Sequence, residues 1–188
     1  MPILGIIASQ ISGHLAPIPP YLAYESIATT TLGSATASVT FSSFSGYTHL
    51  QLRIFARTNR AATRDAIKLR LNSDSGTNYA QHLLYGDGAS AVGEGFPNEP
   101  EMALNSVSAA SASASMFGAI IVDILNYANT NKTTTVRSFG GNDGNGNGKI
   151  NNQSNLWNNT AAVTSLYLEP YAGTTFNQYS SFALYGIK

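Results

Sequence analysis

Residues 117–127 read FGAIIVDILNY and form the longest nearly unbroken apolar stretch after the N-terminal region. The apolar residues fit helical spacing, but they also fit the two faces of a strand. Ile and Val are stiff at χ1 and suit a pleated sheet better than a helix, which favours the strand. Because both faces of this strand would be apolar, we expect it to be buried on both sides, inside a layered fold.

The segment that follows supports the strand. Residues 126–132 (NYANTNK) are rich in turn-forming Asn, and residues 133–139 (TTTVRSF) are again β-prone. A strand, an Asn-rich turn and a second strand are typical of a β-hairpin. The sequence therefore predicts that residues 117–125 and 133–139 pair with each other.

The rest of the chain repeats this pattern of short β-prone segments between turns. Residues 86–100 carry Gly and Pro and are predicted to be a long loop, as are residues 108–115 (SAASASAS) and 140–148. Further strands are predicted at residues 25–32, 38–44, 48–57, 66–72, 79–85, 101–107, 149–157, 163–168 and 180–187. About ten strands at short spacing, with no convincing helix, predict an all-β fold. We expect an antiparallel β-sandwich that is jelly-roll-like.

Composition limits the class of partner. The chain has 188 residues, a usual size for one domain, and 43% of them are hydrophobic, enough for a core. Only 11% are charged and the net charge is zero. Nothing in the bulk charge attracts nucleic acid or an anionic membrane, so neither is an expected partner. The absence of cysteine excludes disulfides and thiolate metal sites.

Residues 1–20 are predicted to be an arm outside the sandwich domain, which we place at residues 21–188. The segment lacks the basic start of a signal peptide, and no apolar run is long enough to span a membrane. Residues 16–20 (APIPP) would act as a stiff spacer. The predicted docking residues of the arm are Ile3, Leu4, Ile6, Ile7 and Ile11. The alternative is that this segment folds back as an edge strand.

One loop has the spacing of a calcium ligand set. Asp143, Asn145 and Asn147 match the first half of an EF-hand loop, in which oxygen ligands alternate. The twelfth position is Ser154 instead of Glu, and no helices flank the loop. The simpler interpretation is a Gly/Asn turn that needs positive φ, so no cofactor is expected and Ca²⁺ remains the alternative.

Enzyme motifs are absent from the sequence. There is no G-x-S-x-G elbow and no phosphate-binding P-loop. Glu94, Glu99 and Glu101 lie close together in sequence, and paired carboxylates can hydrolyse glycosides. Acidic residues in such a loop are usually only solvated, and we therefore expect a protein that is not an enzyme.

Aromatic residues are the remaining candidates for recognition. Ten Tyr residues are many for this length, and several lie at strand ends or in loops. Exposed aromatic rings can anchor contacts between subunits, which we favour, or stack on sugar rings. The candidates are Tyr85, Trp157, Tyr171 and Tyr179.

Several segments, taken together, resemble a family of small structural proteins of tailed-bacteriophage virions, of the tail-fibre, minor structural or decoration type. The likeness extends over nearly the whole chain, and its motifs are structural. The segments that carry it are residues 1–9 (MPILGIIAS), 24–29 (YESIAT), 47–51 (YTHLQ), 82–88 (HLLYGDG), 122–132 (VDILNYANTNK) and 179–187 (YSSFALYGI).

The resemblance implies a β-sandwich that assembles as a homo-oligomer, with three subunits expected. It also implies that the arm docks on other virion proteins. A tail-fibre or baseplate module that contacts the host surface is favoured over a capsid decoration, cement or head-fibre protein, so the tail is the expected location. A carbohydrate-binding module or glycan-active enzyme is the alternative from another class. No site residue carries over from the family.

Overall fold

The computed structural model describes residues 24–188, and the regular secondary structure of this part is entirely β-strand. The strands are β1 (Tyr24–Thr31), β2 (Val39–Ser42), β3 (His49–Ala56), β4 (Arg64–Leu71), β5 (Tyr79–Gly86), β6 (Ala91–Glu99), β7 (Met102–Ser108), β8 (Gly118–Leu125), β9 (Thr134–Asn142), β10 (Lys149–Trp157), β11 (Ser165–Pro170) and β12 (Ser181–Ile187). These strands pair antiparallel in two sheets, which confirms the predicted all-β sandwich.

The two sheets differ in width. The large sheet has the order β1-β12-β3-β8-β9-β10-β5-β6, and the small sheet has the order β2-β11-β4-β7. If the hairpins β5–β6 and β9–β10 are set aside, two four-stranded sheets remain, and the chain crosses between them as in a jelly roll. The two hairpins therefore extend one edge of the large sheet well beyond the small one.

The core lies between the sheets and follows from period-2 alternation. In β3, Leu50, Leu52 and Ile54 point inward and are buried, as predicted from the sequence. Ile67 and Leu69 of β4 face them from the small sheet and are fully buried. Burying a side chain of this size stabilises the fold by about 1.5–3 kcal/mol, which makes this layer the main source of stability.

The overhanging part of the large sheet has a polar inner face that covers the edge of β7. Gln81 accepts a hydrogen bond from the Ala103 N–H at 3.1 Å. Gln153 donates to the Ala103 carbonyl at 2.9 Å and accepts from the Asn105 N–H at 3.2 Å. Ser138 also donates to Gln153, at 2.9 Å. These side chains satisfy backbone groups that a fifth strand of the small sheet or water would otherwise have to pair.

The central apolar stretch forms strand β8 and pairs with β9, as predicted. The prediction that β8 is buried on both faces is wrong. Ile120, Val122 and Ile124 face the core, whereas Ile121 on the other face is 42% exposed. The physical reason is that the small sheet packs against only one side of the large sheet.

Two predicted loops are also corrected. Residues 86–100 contain strand β6, which is the outermost strand of the large sheet. Pro97 and the glycines are tolerated there because an edge strand has one side without a ladder partner. Strand β9 runs to Asn142, so the turn predicted at residues 140–148 is shorter than expected.

The predicted arm, with Ile3, Leu4, Ile6, Ile7 and Ile11, lies outside the described residues, and its boundary with the domain stays a prediction. Within residues 24–188 there is no helix with the length and hydrophobicity needed to cross a membrane.

Candidate association surface

Apolar side chains gather on the outer face of the large sheet, where water would be expected. We call this set the apolar face. Each of five large members is more than two-fifths exposed, and Phe139 is 54% exposed. A sixth, Phe117, is half-buried and stacks on Phe55 with ring centroids 5.0 Å apart. The members are Phe55, Leu84, Phe117, Ile121, Phe139 and Ile150.

Strand register puts these side chains side by side. Ile121 of β8 lies opposite Phe139 of β9, which lies opposite Asn152 of β10. Asn152 in turn lies opposite Leu84 of β5. Cross-strand neighbours in antiparallel pairs approach within about 5 Å, so these residues form one continuous surface. Apolar patches of this kind are typical of interaction sites on folded domains.

A polar strip runs along the apolar face, one row away. Asp123 lies opposite both Gln51 and Arg137, and accepts a hydrogen bond from the Gln51 amide at 2.8 Å. Arg53 lies opposite Ile121, at the end of the apolar row, and its guanidinium lies over the Tyr24 and Tyr185 rings, at 5.4 and 5.1 Å from their centroids. Charges of both signs beside an apolar centre match the rim and core of protein interfaces, where the polar rim sets partner specificity.

The outer face of the small sheet is different. Arg70 pairs with Glu101 at 2.7 Å and with Glu169 at 3.3 Å. Lys68 also pairs with Glu169, at 3.3 Å. The charged side chains of this face thus pair with one another, in contrast to the exposed apolar side chains of the large sheet. Glu101, considered above as a catalytic acid, is engaged in this network.

A groove lies at one corner of the apolar face, and we call it the corner groove. Its volume is about 890 Å³. Ala119, Ile121, Phe139 and Ile150 form its apolar floor, and the turns at residues 86–89 and 142–148 form its rims.

The predicted recognition aromatics are not brought together. Trp157 is 1% exposed and donates its indole N–H to Asp74 at 2.8 Å, so its assignment to an interface or glycan platform is wrong. Tyr85 is half-buried, with the Lys149 ammonium 3.3 Å from its ring centroid. Burial lowers the pKa of Lys149, and Arg64 nearby adds to this effect.

Tyr171 and Tyr179 are both exposed, but they lie in different parts of the structure. Tyr171 lies beside Lys68 of the small sheet. Tyr179 is 67% exposed and lines a second groove of about 660 Å³, which we call the end groove. Its φ of 71° is unusual for a bulky residue. Asn177 and Gln178 line the same groove.

The loop that begins at Asp143 is a Gly/Asn turn, the simpler of the two interpretations of its sequence. The Asn145 N–H donates to the Asp143 carboxylate at 2.9 Å. Asn145 and Gly146 have φ of 55° and 96°, as a Gly/Asn turn requires. Within the part of the chain that the structure describes, no three His, Cys, Asp or Glu side chains are grouped as metal ligands. Turn geometry therefore explains Asp143, Asn145 and Asn147, and calcium binding stays a prediction.

Sequence reasoning missed the apolar face, although a signal for it was present. Phe55 occupies an outward position of β3, in line with Gln51 and Arg53. Phe139 likewise follows Thr135 and Arg137 on the outward side of β9. A large aromatic residue at a position that is otherwise polar is the pattern that indicates a surface with a partner.

Comparisons of this chain with protein-family models, with curated proteins and with solved structures found no match.

Proposed function

We propose that this chain is a non-enzymatic structural subunit of a bacteriophage virion, and that it assembles as a homo-oligomer through the apolar face. The observation that supports this most is the group of exposed apolar side chains on the outer face of the large sheet, with Ile121 and Phe139 side by side at its centre. Exposing such a surface is unfavourable, and burying it against further copies removes the cost. The small sheet, which is covered with ion pairs, would then face water.

The virion setting rests on the sequence resemblance described above. A sandwich that keeps an apolar face for association suits a repeated building block, and in a ring of three copies each copy would contact its neighbours through two different patches. We expect a trimer in the tail, as a tail-fibre or baseplate module, with the arm docked on neighbouring proteins. A capsid decoration, cement or head-fibre protein is the alternative location for the same architecture.

Sedimentation velocity of the full chain tests self-association. We expect a native mass that is a multiple of 19.8 kDa at micromolar concentration. The double variant Ile121→Ser/Phe139→Ser removes two central apolar contacts and should weaken assembly by about 30-fold or more, as loss of interface hot spots does. Tyr171→Ser, an equally exposed aromatic elsewhere, is the matched control and should assemble normally. A monomeric wild type, or a double variant that assembles as well as wild type, would contradict the proposal.

Immunogold labelling of purified particles with an antibody against this chain tests the virion setting. Label on the tail supports the favoured location, and label over the whole head supports the decoration alternative. Particles without label would contradict the virion setting, and would not bear on the proposal that the chain self-associates.

A second candidate function is binding of a neutral saccharide in the end groove. Tyr179 presents an exposed ring beside the uncharged side chains of Asn177 and Gln178, a combination that can stack on and hydrogen-bond to a sugar. A glycan array with wild type, Tyr179→Ala and the control Tyr171→Ala tests this. Binding that only Tyr179→Ala abolishes would support it. A polysaccharide-depolymerisation assay on the same samples tests the glycan-active enzyme.

A further inference from the structure

The floor of the corner groove is shaped to receive an extended apolar segment. Ile150 of β10 lies between two outward-facing glycines, opposite Gly141 of β9 and Gly86 of β5. Ala119 continues this row on β8, opposite Gly141. Because these neighbours carry little or no side chain, a peptide could approach the sheet closely beside Ile150, with Phe139 and Ile121 along its other side.

The chain itself contains a segment of matching chemistry. Residues 1–23 lie outside the described part of the structure, and no Asp, Glu, Lys or Arg occurs before Glu25. Within this stretch, residues 3–11 contain five Ile or Leu side chains. An uncharged apolar segment can cover the groove floor without burying an unpaired charge. Burying such a charge is the main cost in contacts of this kind.

The point where this segment joins the fold is distant from the groove. Tyr24 begins β1, the edge strand of the large sheet, at the end where β12 finishes with Ile187. The corner groove lies on β8, β9 and β10, at the opposite end of these strands. Crossing from β1 to β10 covers five strand spacings, or about 24 Å. When a segment that leaves one part of a copy binds a different part of the next copy, the contact between the copies is head-to-tail.

We propose that residues 3–11 of one copy bind in the corner groove of a neighbouring copy. This deepens the proposed function and rests on it, because it names a second copy of this chain, and not a different virion protein, as the neighbour on which the arm docks. A head-to-tail exchange of this kind closes a ring when the rotation between copies permits, which is compatible with the expected trimer.

Because the chain has no cysteine, introduced thiols report this contact without background. Two full-length variants are mixed, one with Ile7→Cys and one with Ala119→Cys that also carries a size tag, and they are oxidised mildly. Docking raises the local thiol concentration from micromolar to about millimolar, so the heterodimer should form roughly a thousandfold faster than by random collision. Ile7→Cys mixed with size-tagged Tyr171→Cys is the matched control and should give only the random rate.

The experiment is repeated with size-tagged Ile150→Cys, which is at an exposed position on the same groove floor. This second variant keeps the test valid if Ala119→Cys does not fold. If heterodimers with Ala119→Cys and with Ile150→Cys both form no faster than in the control pair, the inference is overturned. Cross-linking of the double variant Ile7→Cys/Ala119→Cys only within one chain would overturn it too. If wild type still sediments as an oligomer in these cases, the arm contact fails alone. If wild type is a monomer, the proposed function fails as well.

Discussion

The turn at residues 72–78 is folded around one carboxylate. Asp74 accepts hydrogen bonds from the Trp157 indole at 2.8 Å, the Asn78 amide at 2.9 Å and the Gly76 N–H at 2.8 Å. Burial alone would raise the pKa of Asp74, but these hydrogen bonds stabilise the charged form and lower the pKa below its ordinary value of 3.8. The ionised carboxylate therefore stabilises the folded state.

The pH dependence of unfolding checks this. A group with a lowered folded pKa contributes its full stability above its unfolded pKa of 3.8 and loses that contribution as the pH falls through the folded pKa. We expect wild type to be more stable than Asp74→Asn at pH 7, and the difference to shrink as the pH drops below 4. Urea unfolding followed by the fluorescence of Trp157 measures both. A difference that stays constant down to low pH would contradict the assignment.

The same residues show why a side chain's environment is hard to predict. Strand β10 was predicted with its observed bounds, yet Trp157 was expected on the surface. Its inward-facing neighbours in β10 are Asn151, Gln153 and Asn155, all of them polar and buried. With polar residues on both faces, the alternation does not reveal which face is inside, and Trp157 is assigned to the core only when the strand is placed.

At the scale of the element, the edge of β7 depends on Gln153. Replacing Gln153 with Leu leaves the partly buried Asn105 N–H without its acceptor. The Ala103 carbonyl loses one hydrogen bond and keeps only the Asn105 amide, at 3.3 Å. An unsatisfied N–H costs about 1–3 kcal/mol and a lost hydrogen bond about 0.5–1.5 kcal/mol, so we expect Gln153→Leu to lower the free energy of unfolding by about 1.5–4.5 kcal/mol. Ser154→Ala, one position along on the exposed face, is the control and should change it by less than about 0.5 kcal/mol.

Urea denaturation at a protein concentration where both variants have the same assembly state measures this change. A lower midpoint with an unchanged slope is the expected result. A Gln153→Leu variant as stable as Ser154→Ala would show that β7 does not rely on this side chain.

Strands with clear alternation could be predicted, and the edge strand could not. In β3, and in β4 from Ile67 onward, the inward residues are aliphatic and the outward residues are mostly polar. The pattern therefore predicts both that these segments are strands and which side of each faces the core. Strand β6 carries Gly93, Gly95 and Pro97, which are turn signals in isolation. It forms a strand because it pairs with β5, and this pairing cannot be predicted from the sequence of the segment alone.

For the whole molecule, the sandwich could be predicted from the sequence, and the open face could not. Strand β8 is apolar on both sides, which fits either a strand covered twice or a strand with one face for a partner. Only the packing of the small sheet against one side of the large sheet decides between them. The apolar face is therefore a property of the topology, although Phe55 and Phe139 among polar neighbours gave a local indication of it.

Hydroxyl-radical footprinting of the full chain over a range of concentrations tests most directly whether the apolar face is buried on assembly. As the oligomer forms, we expect oxidation of Ile121, Phe139 and Ile150 to fall, while oxidation of Tyr171 stays unchanged. An oligomer in which these three side chains are oxidised as fast as in the monomer would contradict the account.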